Sequence, residues 1–288
     1  MDQRKYPIAL ITDSTCDIPD SLLAEHEITF GSQYLIWGTD EYRDRIDITS
    51  AQFYERLVHD PAHPKSSQPV AADFGRLIEN AQAEGAKEAV IITISGQLSG
   101  TIESARQAAQ NASIPVQVYD SRSGGMGLGW QVLAAARARE KGSDARAMIE
   151  AADRIRRSLK FIFFVDSLDA LHRGGRIGGA ARLIGTALNL KPVLWVNHEA
   201  GQVEPGERTR TVSKAVERVY ELFFSQVDIS KPLRVAVVHS GVLSLAEEIA
   251  RRVREEFHPV ELLITLISPV MGAHIGPGAL GLVGYAEA

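Results

Sequence analysis

The chain has 288 residues, 45% of them hydrophobic, which is more than one ordinary core and leads us to expect two domains. Its 31 basic and 36 acidic residues leave a formal charge of −5 with no run of one sign, which excludes a general affinity for nucleic acid or an anionic membrane. The single cysteine, Cys16, excludes an internal disulfide; the opening MDQRKYPIALIT has too short an apolar run for a signal peptide, and no stretch approaches the roughly 20 apolar residues that cross a bilayer, so a cytoplasmic protein without stable membrane insertion is expected.

PIALITD (7–13) reads as a strand buried on both faces, and DIPDSLLAEH as the helix after it, with Asp17 as N-cap and Pro19 in the first turn. ITFGSQYLIWG (28–38) reads as a second strand, and DITSAQFYERLVHD as a helix capped by Thr49 or Ser50. The stretch PAHPKSSQPVAADF reads as a loop, and the next helix stops at Gly85. EAVIITI (88–94) is the clearest buried strand; helix GTIESARQAAQNA, strand PVQVYDS (115–121), a glycine-rich turn and two long helices complete the half. This βα alternation implies a mainly parallel α/β/α domain with right-handed crossovers.

The pattern changes at FIFFVDS (161–167), which places a boundary near residue 158 and domains at 1–158 and 159–288. Beyond it come a short helix (Ser167–Arg173), the turn RGGRIGG, the apolar segment ARLIGTALNL, strand PVLWVN and a tight turn at HEAGQ. Helix TVSKAVERVYELFFSQ, strand LRVAVVHS, helix LSLAEEIARRVREEF and strand ELLITLIS follow. Tight turns and single helices between strands imply a mixed or antiparallel sheet in this C-terminal α/β domain.

In a parallel sheet, ligands gather outside the carboxyl ends of the strands. Three such ends are hydroxyl-rich here: Asp13-Ser14-Thr15, Ser95 with Ser99 and Thr101, and Asp120-Ser121. In TISGQLSGTIESA, Ser95 leaves the strand, Gly96 and Gly100 permit close backbone approach, and the whole suits a small anion such as a carboxylate; equally, Ser99 or Thr101 could cap the next helix. Ser66 and Ser67 end a similar loop. RGGRIGGAAR (173–182) offers Arg173 and Arg176 among glycines, a set able to meet an oxyanion or to form a solvated turn. It is neither a Walker A loop nor a dinucleotide fingerprint, so no nucleotide is expected. His274 sits among small residues in SPVMGAHIGPGALGLVGY; the histidines are isolated, so no metal centre is expected either. No G-x-S-x-G elbow is present, although Ser95 and His274 could in principle form a nucleophile and its base.

Taken in order, ITDSTCDIP (11–19), SSQP (66–69), LSGT (98–101), VYDS (118–121), GGRI (174–177), LNLKPVL (188–194), ERTRT (207–211) and GAHIGPGALG (272–281) resemble the marks of the DegV family, which includes the fatty acid kinase B subunits. The resemblance implies two α/β domains with a long-chain fatty acid buried at their interface and its carboxylate held by hydroxyls, and no other cofactor. Carried over by position, Ser66 and Ser95 hold the head group, with Gly96 offering a backbone N–H where a second serine is usual. Arg176 and His274 face the same group. A separate ATP-dependent fatty acid kinase would then phosphorylate the carboxylate, with Arg173 or Arg176 meeting the added charge, and this chain would be a carrier, not an enzyme. Two other readings stand beside it: a lipid or ester hydrolase with Ser95 as nucleophile and His274 as base, and a lipid-binding transport or signalling module without a kinase.

Overall fold

The computed structural model describes residues 4–183 and 190–287. Most of the apolar segment 181–190, and the start of the 188–194 motif, lie outside the described residues.

In the first half the chain forms β1 (Ile8–Asp13), α1 (Asp20–Glu25), β2 (Ile28–Gly31), β3 (Tyr34–Trp37), β4 (Asp40–Arg43), α2 (Ser50–His59) and β5 (Lys65–Ser67). It continues with α3 (Ala71–Ala83), β6 (Glu88–Thr93), α4 (Thr101–Gln110), β7 (Val116–Asp120), α5 (Met126–Glu140) and α6 (Ala145–Ser158). Four strands make a parallel sheet in the order β2-β1-β6-β7. All six residues of β1 are buried, because helices cover both faces of the sheet. Ala9 and Ile11 pack with Phe74 and Ile78 of α3 on one face, and Leu10 joins the cluster of α5 on the other.

The second half supplies β8 (Lys160–Phe164), α7 (Asp169–Arg173), β9 (Lys191–Asn197), β10 (Gln202–Thr209), α8 (Val212–Phe224), β11 (Leu233–His239), α9 (Leu243–Phe257), β12 (Glu261–Leu266), α10 (Pro269–Ile275) and β13 (Leu280–Ala286). Its strands form one mixed sheet in the order β10-β9-β8-β13-β11-β12, antiparallel except between β11 and β12. Alternation along each strand sorts the residues by face. Phe164, Val237 and Leu282 pack with α8 and α9, while Phe161, Phe163, Val238 and Val283 turn toward the first domain. Helix α5 is buried at eleven of its fifteen residues because it lies between the two sheets. Trp130 Nε1–H of α5 donates to the Val283 carbonyl at 3.1 Å.

Several expectations are corrected. The apolar stretch 28–38 is two strands: β2 joins the parallel sheet, whereas β3 pairs with β4 and β5 in a separate three-stranded antiparallel sheet. The break is at Ser32 and Gln33, which are drawn inward by hydrogen bonds to the Asp44 carbonyl and from the Gln33 N–H to Ser14 Oγ. Asp17 does not cap α1; it sits at φ 51°, and its carboxylate accepts from the Ser268 N–H instead. Ser66 and Ser67 lie on β5, not in a loop. Gly100 precedes α4 without a side-chain cap bond. The glycine-rich C-terminal segment holds both α10 and β13, and β13 is an inner strand whose Gly281 allows the Phe163 side chain to come close: a Cβ there would stand 2.6 Å from Phe163 Cβ.

Candidate functional site

In the parallel sheet the chain passes from β1 outward to β2 and then returns to β6 on the other side of β1. The carboxyl ends of β1 and β6 therefore flank the point where the strand order reverses, the place at which open α/β sheets leave a crevice. Asp13 ends β1 fully buried and holds this point together: it accepts from the Thr15 N–H at 3.1 Å, the Thr15 hydroxyl at 2.5 Å and the Ile94 N–H at 2.7 Å. Desolvation raises its carboxyl above the usual range despite these donors.

A cavity of about 310 Å³ opens here, between the end of the parallel sheet and the inner face of the mixed sheet. That volume lies at the lower end of what small-molecule sites enclose. Its far walls are apolar, with Phe161, Phe163, Val196, Val203, Val238 and Ile267 among them. Its polar wall carries Thr15, Gln33, Ser66, Ser67, Gln68, Ser99, Arg176 and His274, and among the described lining residues Arg176 is the one charged side chain. A second, outer groove of about 690 Å³ shares Ser66, Arg176 and His274 with the cavity and adds Lys65, Arg173, Asp60 and His63. The shared residues thus stand between a chamber with one charged side chain and a groove that carries several.

Ser66 faces inward from the middle of β5, paired to Leu35 of β3, and its Oγ is 2.7 Å from His274 Nε2. His274 lies in the last turn of α10, and Gly174 makes room for its ring, since a Cβ at 174 would stand 2.1 Å from Nδ1. Burial, with Arg176 nearby, pushes His274 down to about 4, so the ring is neutral near pH 7. Arg176 is tied to both domains: Nε donates to the Leu98 carbonyl at 2.9 Å and Nη1 to the Gly174 carbonyl at 2.7 Å.

Of the residues singled out in the sequence, Ser66, Arg176 and His274 come together, and Arg173 lies on the outer groove alone. Ser95 and Gly96 do not line the cavity. Ser95 is fully buried, and its hydroxyl donates to the Gly201 carbonyl at 2.7 Å, across the domains, while the Gly96 N–H is taken by the Asp120 carboxylate at 3.3 Å. The end of β7 claims Gly96, and the β9–β10 turn is what claims Ser95. That turn docks on the first domain through the Ser95 bond, through Arg122 to the Glu199 carbonyl at 2.7 Å and through Arg156 to the His198 carbonyl at 2.9 Å. The Ser95–His274 pair of the alternative hydrolase reading is therefore not formed.

Ser99 stands on the cavity wall where Ser95 was expected. A single turn carries it there, with the Ser99 N–H bonded to the Ser95 carbonyl at 3.0 Å. Ser99 Oγ is 2.8 Å from Thr101 Oγ1, which in turn accepts from Gln33 Nε2 at 2.8 Å. The LSGT motif held this hydroxyl, but nothing in the sequence tells which of two nearby serines turns inward. Among the described residues no group of three or more His, Cys, Asp or Glu is placed to hold a metal ion, and no helix is long and apolar enough to cross a membrane.

A family model described as "Uncharacterised protein, DegV family" matches residues 7–287. A DegV domain-containing protein of Halalkalibacterium halodurans is 33% identical over 281 residues, covering 97% of this chain and 99% of its own. The solved structure of a DegV family protein from Thermus thermophilus, reported for its fatty acid binding, superposes with a TM-score of 0.90 at 34% identity, covering 97% and 99% of the two chains. Bacillus subtilis DegV, a fatty acid binding protein, superposes with a TM-score of 0.89 at 29% identity over 98% of this chain and all of its own. A stearic-acid-binding protein from Eubacterium ventriosum gives 0.88 at 26%, covering 97% and 98%.

Proposed function

The chain belongs to the DegV family, and from that premise we propose that it is a cytoplasmic carrier that encloses one long-chain fatty acid, with the acyl chain in the 310 Å³ cavity and the carboxylate at Ser66, Ser99, Arg176 and His274. The observation that carries this reading is the division of the cavity into apolar far walls and one polar wall of hydroxyls, a neutral imidazole and a single guanidinium. Burying a chain of about sixteen carbons at roughly 0.8 kcal/mol per CH₂ offers more than ten kcal/mol before ordering costs, so the head group needs orientation more than strength.

Hydrogen-bond polarity suits an anion. With the proton on His274 Nε2, the ring donates to Ser66 Oγ and leaves the serine proton for a carboxylate oxygen. With Thr101 accepting from Gln33 and donating to Ser99, the Ser99 proton is likewise left for the ligand. Two hydroxyl donors and Arg176 then meet two carboxylate oxygens.

In this reading the outer groove is where a separate ATP-dependent fatty acid kinase reaches the carboxylate and forms the acyl-phosphate. Arg176 borders both chambers and Arg173 lines the groove, so both are placed for the charge that accumulates on a transferring phosphoryl group. The protein loaded with oleate, mixed with a fatty acid kinase and ATP, should yield acyl-phosphate that hydroxylamine traps as the hydroxamate. No hydroxamate above the kinase-only control would remove the kinase from the account while leaving lipid binding untouched.

A Ser66–His274 pair at 2.7 Å also has the outline of a nucleophile and base. A histidine held down near 4 is a weak base, and its buried Nδ1 has no partner among the described residues to fix the tautomer that would accept the serine proton. The carrier should accordingly show no turnover of p-nitrophenyl esters beyond that of Ser66→Ala.

A further inference from the structure

Two buried aspartates that the head-group site does not use hold the helix that carries His274. Helix α10 separates the two chambers: Val270, Met271 and Ile275 border the apolar cavity, Gly272, Ala273 and Gly276 border the outer groove, and His274 borders both. Its first turn is gripped from the other domain. The Ser268 N–H donates to Asp17 Oδ1 at 3.0 Å, and the Val270 N–H donates to Asp44 Oδ1 at 3.2 Å. Its other end leads into Gly276 and Gly278, at φ +79° and +83°, backbone that side chains other than glycine rarely adopt. A short helix fixed by two carboxylates at one end and followed at the other by a glycine turn, with the Gly278 N–H anchored to the Ser240 carbonyl at 2.8 Å, has the build of a flap that pivots about its C-terminal end.

We propose that α10 is the lid of the cavity and that Asp17 and Asp44 are its latch, positioning residues that set His274 against Ser66 when engaged and let the fatty acid in and out when released. As a statement about fatty acid it rests on the reading of the cavity given above; as a statement about the helix it does not.

The latch is built from groups whose charge is costly where they sit. Asp44 is fully buried; its Oδ2 accepts from Ser14 Oγ at 2.6 Å, and Asp17, Arg45 and the Tyr54 hydroxyl of α2 are the ionisable groups around it. Asp17 is nearly as buried, with Arg45, Asp13, Cys16 and Tyr54 about it, and its Oδ2 has no hydrogen-bond partner among the described residues. Desolvation outweighs Arg45 and the N–H donors, which pushes Asp17 up to about 6 and Asp44 up to about 7. A carboxyl released into water returns to about 4. The closed state therefore binds the proton more tightly than the open one, so protonation holds the latch shut, and the hold is lost as the pH rises from about 4, where the released carboxyls ionise, through about 6 and 7, where Asp17 and Asp44 do.

Hydrogen–deuterium exchange on the ligand-free protein, corrected for intrinsic rates, reads the latch directly. From about pH 5.5 to about pH 8, protection of the α10 peptide should fall by roughly tenfold or more while that of α9 stays level. Asp44→Asn keeps the acceptor for Val270 and donates to Ser14 Oγ as a protonated carboxyl would, so it should remove the larger part of this fall and leave only the share that belongs to Asp17; Asp17→Asn is the second variant, should the first not fold. In parallel, replacement of bound palmitate by deuterated palmitate, followed by native mass spectrometry, should quicken over the same range in the wild type and markedly less in Asp44→Asn. Protection of α10 that ignores pH, or an asparagine variant that follows the wild-type profile, overturns the latch. If α10 behaves as described but palmitate neither binds nor exchanges at any pH, the latch stands and the fatty-acid reading falls.

Discussion

Replacing Ser66 and, separately, Ser95 by alanine tests which hydroxyl meets the ligand, and the structure gives the two changes different consequences. In the proposed reading Ser66 presents its proton to the carboxylate in the cavity, and a hydrogen bond to a charged group contributes about 1.5–3 kcal/mol. Ser66→Ala should therefore weaken oleate binding about ten- to a hundredfold, with the buried acyl chain retaining the rest of the affinity. Ser95 donates to the Gly201 carbonyl and accepts from the Gln97 N–H at 3.2 Å, so Ser95→Ala leaves both groups unpaired in the interface between domains. That costs about 1–3 kcal/mol of stability while leaving the head group untouched. Titration calorimetry of delipidated protein with oleate gives the first quantity and thermal unfolding of the ligand-free protein the second. A Ser95→Ala variant that loses affinity as Ser66→Ala does, at unchanged stability, would refute the placement of the two serines and restore the reading that the sequence alone suggests.

Three further outcomes follow from the same geometry. Arg176→Ala should weaken oleate binding at least as much as Ser66→Ala does, with the acyl chain retaining the rest of the affinity, and should slow kinase-dependent hydroxamate formation from the lipid still bound at least tenfold; normal phosphorylation of what remains bound would limit Arg176 to anchoring the head group. Burial holds His198 down at about 4, so its contribution to stability is complete above about pH 6.5 and is lost as the pH falls toward 4, a difference of up to about 3 kcal/mol. His198→Gln should accordingly unfold less readily than wild type at pH 4.5 relative to pH 8 in denaturant titrations, and an unchanged ratio would contradict the assignment. A Cβ at Gly124 would stand 3.2 Å from Met271 Cε and 3.4 Å from Ile94 Cδ1, so Gly124→Val should narrow the cavity and lower uptake of a long acid relative to a short one, read by mass spectrometry of an acid mixture offered to both proteins.

The parallel sheet was legible because its strands carry their signal locally. IALITD and EAVIIT are continuous apolar runs, buried at nearly every position, and Thr49 caps α2 with Gln52 completing the box as the sequence leads one to expect. What was not legible depended on partners far along the chain. The stretch 28–38 is apolar on both sides of Ser32-Gln33, so no change of pattern marks where one sheet ends and another begins. Lys65-Ser66-Ser67 is polar and three residues long, and it is a strand only because β3 offers it a partner. In β13 the glycines that argue against a strand are there because Phe163 and the Arg234 carbonyl lie where side chains would be.

The site divides in the same way. Ser66, Arg176 and His274 were found through their motifs, and their meeting across 208 positions of sequence is the work of α10 and β5. Ser95 and Ser99 are the same residue type in the same turn. Only the β9–β10 turn, which arrives from 106 residues away, takes the hydroxyl of one and leaves the other facing the cavity.

Native mass spectrometry of the purified protein, followed by denaturing extraction and identification of what is released, tests the central claim most directly. The account predicts one long-chain fatty acid per chain, either carried through purification or taken up stoichiometrically when oleate or palmitate is added to delipidated protein. A chain that stays free of lipid under both conditions would contradict it.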